Sequence, residues 1–305
     1  MRASLDEAAP ERGTVVALGT FDGLHLGHRL LLGRARALAK EENLMSVALT
    51  FPKPPRNYLG GGKRLILPPE LKLRLLEEEV ELVVVADFLK LQPLAPQKFA
   101  HLLRERLRAA VVVVGEDYRF GQDRQGDVAL LRKLGQDLGF RVEALAKLLI
   151  DGRPVSSTAV REAIIAGDVE RARRLLGYPP LLRGPVVQGE GRGRELGFPT
   201  ANLKIDEELV APEEGVFAAE VRLRDGLRRG LLYIGRRPTF AGEGRSFEVY
   251  ILDFRGELYG EELEVRLLKK LRGDLRFNDS QALKRQIARD VREAREFFAH
   301  GPDRG

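Results

Sequence analysis

The chain of 305 residues contains no cysteine, no tryptophan and only four histidines. Without cysteine there are no disulfides, thiolate metal sites, iron–sulfur clusters or cysteine nucleophiles. The four histidines (His25, His28, His101 and His300) argue against an all-histidine zinc centre. No apolar run approaches the ~18 residues of a membrane span, so no membrane partner is expected. Residues 1–14 are polar and lack a signal-peptide core, which makes the cytoplasm the expected location. Aromatic residues make up only 7% of the chain, and no Lys/Arg block is present. Neither a stacking platform nor a basic stripe is therefore available, and no nucleic-acid partner is expected.

What is present is an ordinary soluble composition, 44% hydrophobic and 31% charged. The length suits two domains better than one. The net charge of +6 is uneven: residues 1–180 hold 28 Lys and Arg against 23 Asp and Glu, and residues 181–305 hold 23 against 22. A mild basic excess of this kind suits a phosphate-rich small molecule.

The first half alternates short apolar runs with amphipathic stretches. Residues 14–19, 46–51, 81–86, 111–114 and 140–145 read as strands, and 29–40, 69–79, 96–108 and 127–138 read as helices. Continuous β-branched strands between helices indicate a parallel sheet covered on both faces, an α/β doubly wound domain. Two short helices close it, one from Ser157 and one over 169–176 with Gly177 as a left-handed stop. Tyr178-Pro179-Pro180 reads as a linker, which places domains at 1–180 and 181–305. Gly60-Gly61-Gly62 reads as a mobile loop tip. Beyond the linker the period changes. Residues 216–223, 246–254 and 263–268 alternate, and Asp225-Gly226 signals a hairpin. A small antiparallel barrel or sheet is expected, followed by a helix with Leu283, Ile287, Val291, Ala294 and Phe298 on one stripe.

Three segments in the first domain carry chemistry. In Gly19-Thr-Phe-Asp-Gly-Leu-His-Leu-Gly-His28 the first strand turns into the first helix, at the carboxyl edge where open sheets bind ligands. Gly19, Phe21 and Gly23 shape a turn that lets backbone approach a phosphate, and the helix start presents free N–H groups. His25 and His28, three apart, face one point, where imidazolium groups would stabilise charge on an attacked phosphoryl group. Two exposed loop histidines are the ordinary alternative. Asp117, in Gly115-Glu-Asp-Tyr-Arg-Phe-Gly121, follows the VVVV strand to the same edge, where a solvated turn carboxylate is equally natural. Ser157, Thr158 and Arg161 combine a hydroxyl-rich helix start with an arginine one turn later, either a triphosphate clamp or a plain cap with a surface arginine.

The second half has its own constellation. Gly189, Gly191 and Gly193, interleaved with Arg192 and Arg194, form a loop suited to wrapping phosphates, or else a disordered linker. It is neither a Walker A loop nor a dinucleotide fingerprint. Thr200 and Asn202 offer hard oxygen ligands that suit Mg²⁺ carrying ATP phosphates. Glu248 lies inside a strand, opposite in facing to Phe247, Val249 and Ile251. It is either a solvated carboxylate or a general base that takes a proton from an alcohol attacking the γ-phosphate.

The GTFDGLHLGH string resembles the HxGH motif of nucleotidylyltransferases, in the version found in bacterial bifunctional riboflavin kinase/FAD synthetases. The GEDYRFG and SSTAVR segments are similar to further motifs of that family. In the second half GRGRELGFPTAN, Gly235-Arg-Arg-Pro-Thr-Phe240 and the series from Glu248 to Gly260 follow its kinase domain in order. The resemblance covers about residues 15–291. It implies a Rossmann-like FMN adenylyltransferase domain and a Greek-key barrel with a terminal helix that phosphorylates riboflavin. By it, ATP, riboflavin, FMN and FAD are substrates or products and Mg²⁺ is the cation. His25 and His28 would act on the triphosphate with Arg161, Asp117 would lie near flavin or metal, Thr200 and Asn202 would hold Mg²⁺, and Glu248 would be the base. Two positions depart from the pattern: Thr50-Phe-Pro-Lys-Pro-Pro55 has no histidine, and Tyr233 stands where asparagine is common. Two rivals stay open: a nucleotidylyltransferase for another phosphate acceptor with a regulatory flavin-binding barrel, and a basic nucleic-acid-binding protein. No oligomeric state follows.

Overall fold

The computed structural model describes residues 1–189, 191–239 and 242–301. Contacts divide the chain into two compact units, Met1–Ser157 and Thr158–Gly305.

In the first unit, strands β1 (Arg2–Ser4), β2 (Thr14–Leu18), β3 (Met45–Thr50), β4 (Leu82–Val85), β5 (Ala109–Gly115) and β6 (Arg141–Leu145) form one sheet. Its order is β1-β4-β3-β2-β5-β6, and every pair is parallel. The continuous apolar strands bury both faces. Val16, Leu18, Val47, Leu49, Val112 and Val114 join one core cluster, while Val15, Ala17, Ala48, Val83, Val111 and Val113 join the other. Helices α1 (Leu26–Glu41) and α3 (Pro69–Glu79) contribute Leu32, Ala35, Leu73 and Leu76 to the second cluster. Between them runs the short α2 (Pro55–Tyr58). On the first cluster lie α4 (Phe88–Leu91), α5 (Pro96–Glu105) and α6 (Val128–Leu138), through Leu91, Phe99, Leu103 and Leu131. Strand β2 pairs with β3 on one side and β5 on the other, so its carboxyl end is the switch point of a doubly wound sheet. A small hairpin, β7 (Leu149–Ile150) and β8 (Arg153–Pro154), follows β6.

The sequence reading places β2 to β6 and α1, α3, α5 and α6 to within a few residues, but omits β1, the short α2 and α4 and the β7–β8 hairpin. Strand β1 has no hydrophobic period of its own. It is held by parallel pairing to β4 and by the Arg2 guanidinium between Glu70 and Glu77.

The second unit opens with the rest of α7 (Ser157–Ile165) and with α8 (Val169–Leu176), which Asp168 caps and Gly177 ends at φ 80°. Strands β9 (Leu181–Val187), β10 (Ala201–Leu203), β11 (Gly215–Leu223), β12 (Gly226–Thr239), β13 (Gly242–Ile251) and β14 (Glu262–Gly273) close into an antiparallel barrel. The run β14-β11-β12-β13 has Greek-key order. Alternation sorts the side chains. Phe217, Ala219, Val221, Phe247, Val249 and Ile251 fill the barrel, while Val216, Ala218, Leu231 and Leu252 point outward against Ala294 and Phe298 of α10 (Ser280–His300). Asp279 caps α10 by accepting from the Ala282 N–H at 2.6 Å. A four-residue turn of helix, α9 (Arg192–Glu195), sits in the glycine-rich segment after β9.

Candidate active sites

At the carboxyl end of β2 the chain makes a turn that few residues tolerate. Phe21, Gly23 and Leu24 have φ of 51°, 83° and 39°, in the left-handed region. Such conformations cost of order 1 kcal/mol for non-glycine residues and persist only where the surroundings over-determine them. Here Phe21 and Leu24 are fully buried. The Asp22 carboxylate accepts from the Ile66 N–H at 3.0 Å, and the Ser157 hydroxyl donates to the Asp22 carbonyl at 2.8 Å. Gly19 is required by close approach, since a Cβ there would stand 2.8 Å from the Phe21 ring.

His25 is the N-cap of α1. Its Nδ1 accepts from the His28 N–H at 3.3 Å, and the two imidazoles stack with centroids 3.6 Å apart. The Phe21 ring meets His28 edge-on at 5.4 Å. In this geometry the His25 Nδ1 serves the helix cap as an acceptor. The positive end of the helix favours an anion beside it. The structure therefore brings Gly19, Phe21, Gly23, His25, His28 and Ser157 together in the first unit. Asp117 stands exposed at the end of β5, and its carboxylate pairs with Lys147 Nζ at 2.8 Å. Thr158, exposed, and Arg161, nearly buried, continue α7 within the second unit.

One residue of this edge has no signal in a motif. Lys72 lies on the apolar side of α3, at a position an amphipathic count assigns to core, and it is 2% exposed. Its Nζ donates to the carbonyls of Thr20 at 3.2 Å and Pro52 at 3.0 Å, and to that of Phe51. Burial pushes its pKa down from the ordinary lysine value to about 8, against the opposing pull of Asp22.

In the barrel the acidic strand residue has company. Antiparallel pairing sets Asn202 of β10 and Tyr233 of β12 directly opposite Glu248 of β13. The Thr200 hydroxyl donates to Glu248 Oε2 at 3.2 Å. Because Glu248 points outward, it lines a cavity of about 330 Å³ together with Thr200, Asn202, Tyr233 and Tyr250. Leu283, Ile287 and Val291 of α10 form its apolar wall. The Arg272 guanidinium, also lining it, donates to both oxygens of the buried Asp290 at 2.9 and 2.7 Å.

The glycine-rich segment is folded against Asn202 and Thr200. A Cβ at Gly189 would stand 2.0 Å from Asn202 Nδ2, and one at Gly193 would stand 2.9 Å from Thr200 Oγ1. Gly191, with φ 76°, starts the α9 turn, and its carbonyl accepts from the Arg194 N–H at 3.0 Å. Arg194 is exposed. The Arg192 side chain and Phe240 lie outside the described residues.

For a divalent cation the donor set is oxygen: the Thr200 hydroxyl, the Asn202 amide carbonyl and the Glu248 carboxylate. Among the described residues no cluster of three His, Cys, Asp or Glu could hold a metal by itself. That set fits Mg²⁺, a hard ion that takes few protein ligands and completes its shell with phosphate oxygens.

One chain thus joins a doubly wound sheet, with a glycine turn and a helix start at its switch point, to a Greek-key barrel that carries an apolar cavity beside Glu248, an architecture of two separate small-molecule sites. The family model for FAD synthetase matches residues 7–159, and that for riboflavin kinase matches residues 176–298. A bifunctional riboflavin kinase/FMN adenylyltransferase of Escherichia coli is 40% identical over 297 residues, covering 95% of this chain and 94% of the relative. Its counterpart in Haemophilus influenzae is 36% identical over 293 residues, covering 94% and 95%. A crystal structure described as a macrolide-efflux protein from Streptococcus pneumoniae superposes with a TM-score of 0.90 at 32% identity, over 97% of this chain and 99% of that one. The chain belongs to the bifunctional riboflavin kinase/FMN adenylyltransferase family. Among the described residues no helix is long and apolar enough to cross a membrane.

Proposed function

We propose that the chain makes FAD from riboflavin in two steps, with the kinase step carried by residues 181–305 and the adenylyl transfer by residues 1–180. In the first, Glu248 takes the proton from the ribityl 5′-hydroxyl as its oxygen attacks the γ-phosphorus of ATP, and ADP leaves with FMN formed. The Thr200 hydroxyl donates to the carboxylate Oε2 and so orients the base. Thr200 and Asn202 hold Mg²⁺, which neutralises charge on the ATP phosphates when bound. The backbone around Gly189, Gly191 and Gly193, with Arg194, wraps those phosphates, and the apolar wall of α10 takes the flavin ring.

In the second step an FMN phosphate oxygen attacks the α-phosphorus of a second ATP, forming FAD and releasing pyrophosphate. No covalent enzyme intermediate is needed. Positioning and charge stabilisation suffice, from the Gly19–Gly23 turn, the α1 N-terminus, His25 and His28. Ser157 completes the phosphate contacts, and Asp117 serves the flavin side. Both steps act on soluble small molecules, with no nucleic-acid partner and a cytoplasmic setting.

The observation that carries this reading is the Glu248 carboxylate lining one cavity with the oxygens of Thr200 and Asn202 and the apolar side chains of α10. Purified protein incubated with riboflavin, excess ATP and Mg²⁺ is expected to yield FMN first and FAD after it, separated by chromatography over time. Accumulation of FMN alone would leave the kinase step and remove the second. No flavin conversion would overturn both.

A further inference from the structure

Two loops meet at the carboxyl edge of the first unit. One follows β2 and carries the Gly19–His28 turn; the other follows β3 and carries the proline-rich Thr50–Pro55 stretch. Each ends a buried strand, and each contributes carbonyl oxygens that no strand pairing uses. The Lys72 ammonium fills the space between them. It binds Thr20 from the first loop and Phe51 and Pro52 from the second, three acceptors for its three protons. An uncompensated buried ammonium is costly, and a leucine would be the cheaper occupant of this helix face. Its three hydrogen bonds tie the two loops together, beside the one that the Thr50 hydroxyl donates to the Thr20 carbonyl at 3.2 Å. Asp22, in the same turn, is the ionisable group acting on it, and its carboxylate is tied to the Ile66 N–H.

We propose that Lys72 is a positioning residue of the adenylyl-transfer site: its ammonium sets the distance between the turn that receives the triphosphate and the proline-rich loop beside it. This rests on the adenylyltransferase reading given above. It also gives the histidine-free Thr50–Pro55 loop a defined role, held by its backbone rather than offering a side chain.

The test uses the full-length protein and Lys72→Met, which keeps length and removes charge. FAD formation from FMN and ATP is followed for kcat and KM, with riboflavin phosphorylation as an internal control on the other unit. Misplaced loops should raise KM for FMN and ATP about tenfold or more, while phosphorylation of riboflavin stays within about twofold. A folded K72M variant with unchanged KM values for FAD formation would overturn the proposal. Should K72M fail to fold, the wild-type pH profile decides. The ammonium is charged below about pH 8 and loses its proton as pH rises through that value. KM for FAD formation should therefore rise severalfold between pH 7 and pH 9 in the wild type. A flat KM over that range overturns the proposal equally. Wild-type protein that makes no FAD would instead overturn the adenylyltransferase reading, and this role with it.

Discussion

At the N-terminal turn, ten consecutive residues supply the glycines, the helix start and both histidines. In the barrel, the corresponding chemistry comes from separate strands, with Thr200 and Glu248 48 residues apart. The first site is made of backbone: its geometry lies in three left-handed φ values and in the contacts that hold them. The second is made of register: β10, β12 and β13 pair so that Asn202, Tyr233 and Glu248 share one level on the outer wall. A backbone site fails when its supports are removed, whereas a register site fails one side chain at a time. The two should therefore be separable by mutation within one polypeptide.

The largest effect is expected from Glu248→Ala. Loss of a general base lowers rates by ~10²–10⁴-fold, so riboflavin phosphorylation should fall by that much while FMN adenylylation stays near wild type. Assaying both reactions on one preparation checks this, and loss of both would show that the sites are not independent. Next comes His28→Ala. Removing one charge-stabilising donor costs ~10²–10³-fold in kcat, here in FAD formation only. Retention of full FAD formation would move the phosphate contacts to the backbone alone.

The same contrast governs what could be read before the structure. The contiguous turn was legible because its glycines, histidines and strand–helix context lie side by side. So were the parallel sheet, from β-branched runs such as Val111–Val114, and the stripe of α10, whose Leu283, Ile287 and Val291 line the cavity. The direction of Glu248 followed from two-residue alternation, because Phe247 and Val249 had to fill the barrel. Lys72 was not legible. Helical spacing assigns its face to core, and only the convergence of two distant loops explains an ammonium there. Nor was the β1 edge, which depends on pairing with β4, or the His25 cap, which depends on a hydrogen bond from the His28 N–H.

Between the catalytic losses and the small effects lies the support of the barrel site. Asp290 is buried on α10 and binds Arg272 through two hydrogen bonds, with Gln286 Nε2 donating to it at 2.8 Å. Asp290→Ala leaves a guanidinium 17% exposed without its partner. Breaking such a pair costs about 3 kcal/mol. Urea unfolding should show that loss, and KM for riboflavin should rise as α10 loosens from the pocket. FAD formation from supplied FMN should persist under native conditions. A variant as stable as the wild type would mean that α10 is held by its apolar stripe alone.

The smallest effect is expected at Tyr233. Its phenol donates to Asp274 Oδ1 at 3.1 Å and lies over the backbone of Gly235, where a Cβ would stand 2.3 Å from its oxygen. Burial first, then the charges of Asp274 and Glu248, push its pKa up to about 12. The phenol is therefore a neutral donor throughout the working range. Tyr233→Phe keeps the ring and removes one hydrogen bond, worth about 1 kcal/mol, so kinase turnover should change by only a few-fold. The sharper readout is stability at high pH. A folded-state pKa raised above the unfolded value contributes stability that is present below pH ~10 and is lost as pH rises toward 12. Wild type should therefore lose its advantage over Y233F across that window, in urea midpoints taken at pH 9 and pH 11. A constant difference between the two proteins would show that the Asp274 contact does not hold the phenol neutral. The pocket wall beside Glu248 would then rest on packing of the ring alone.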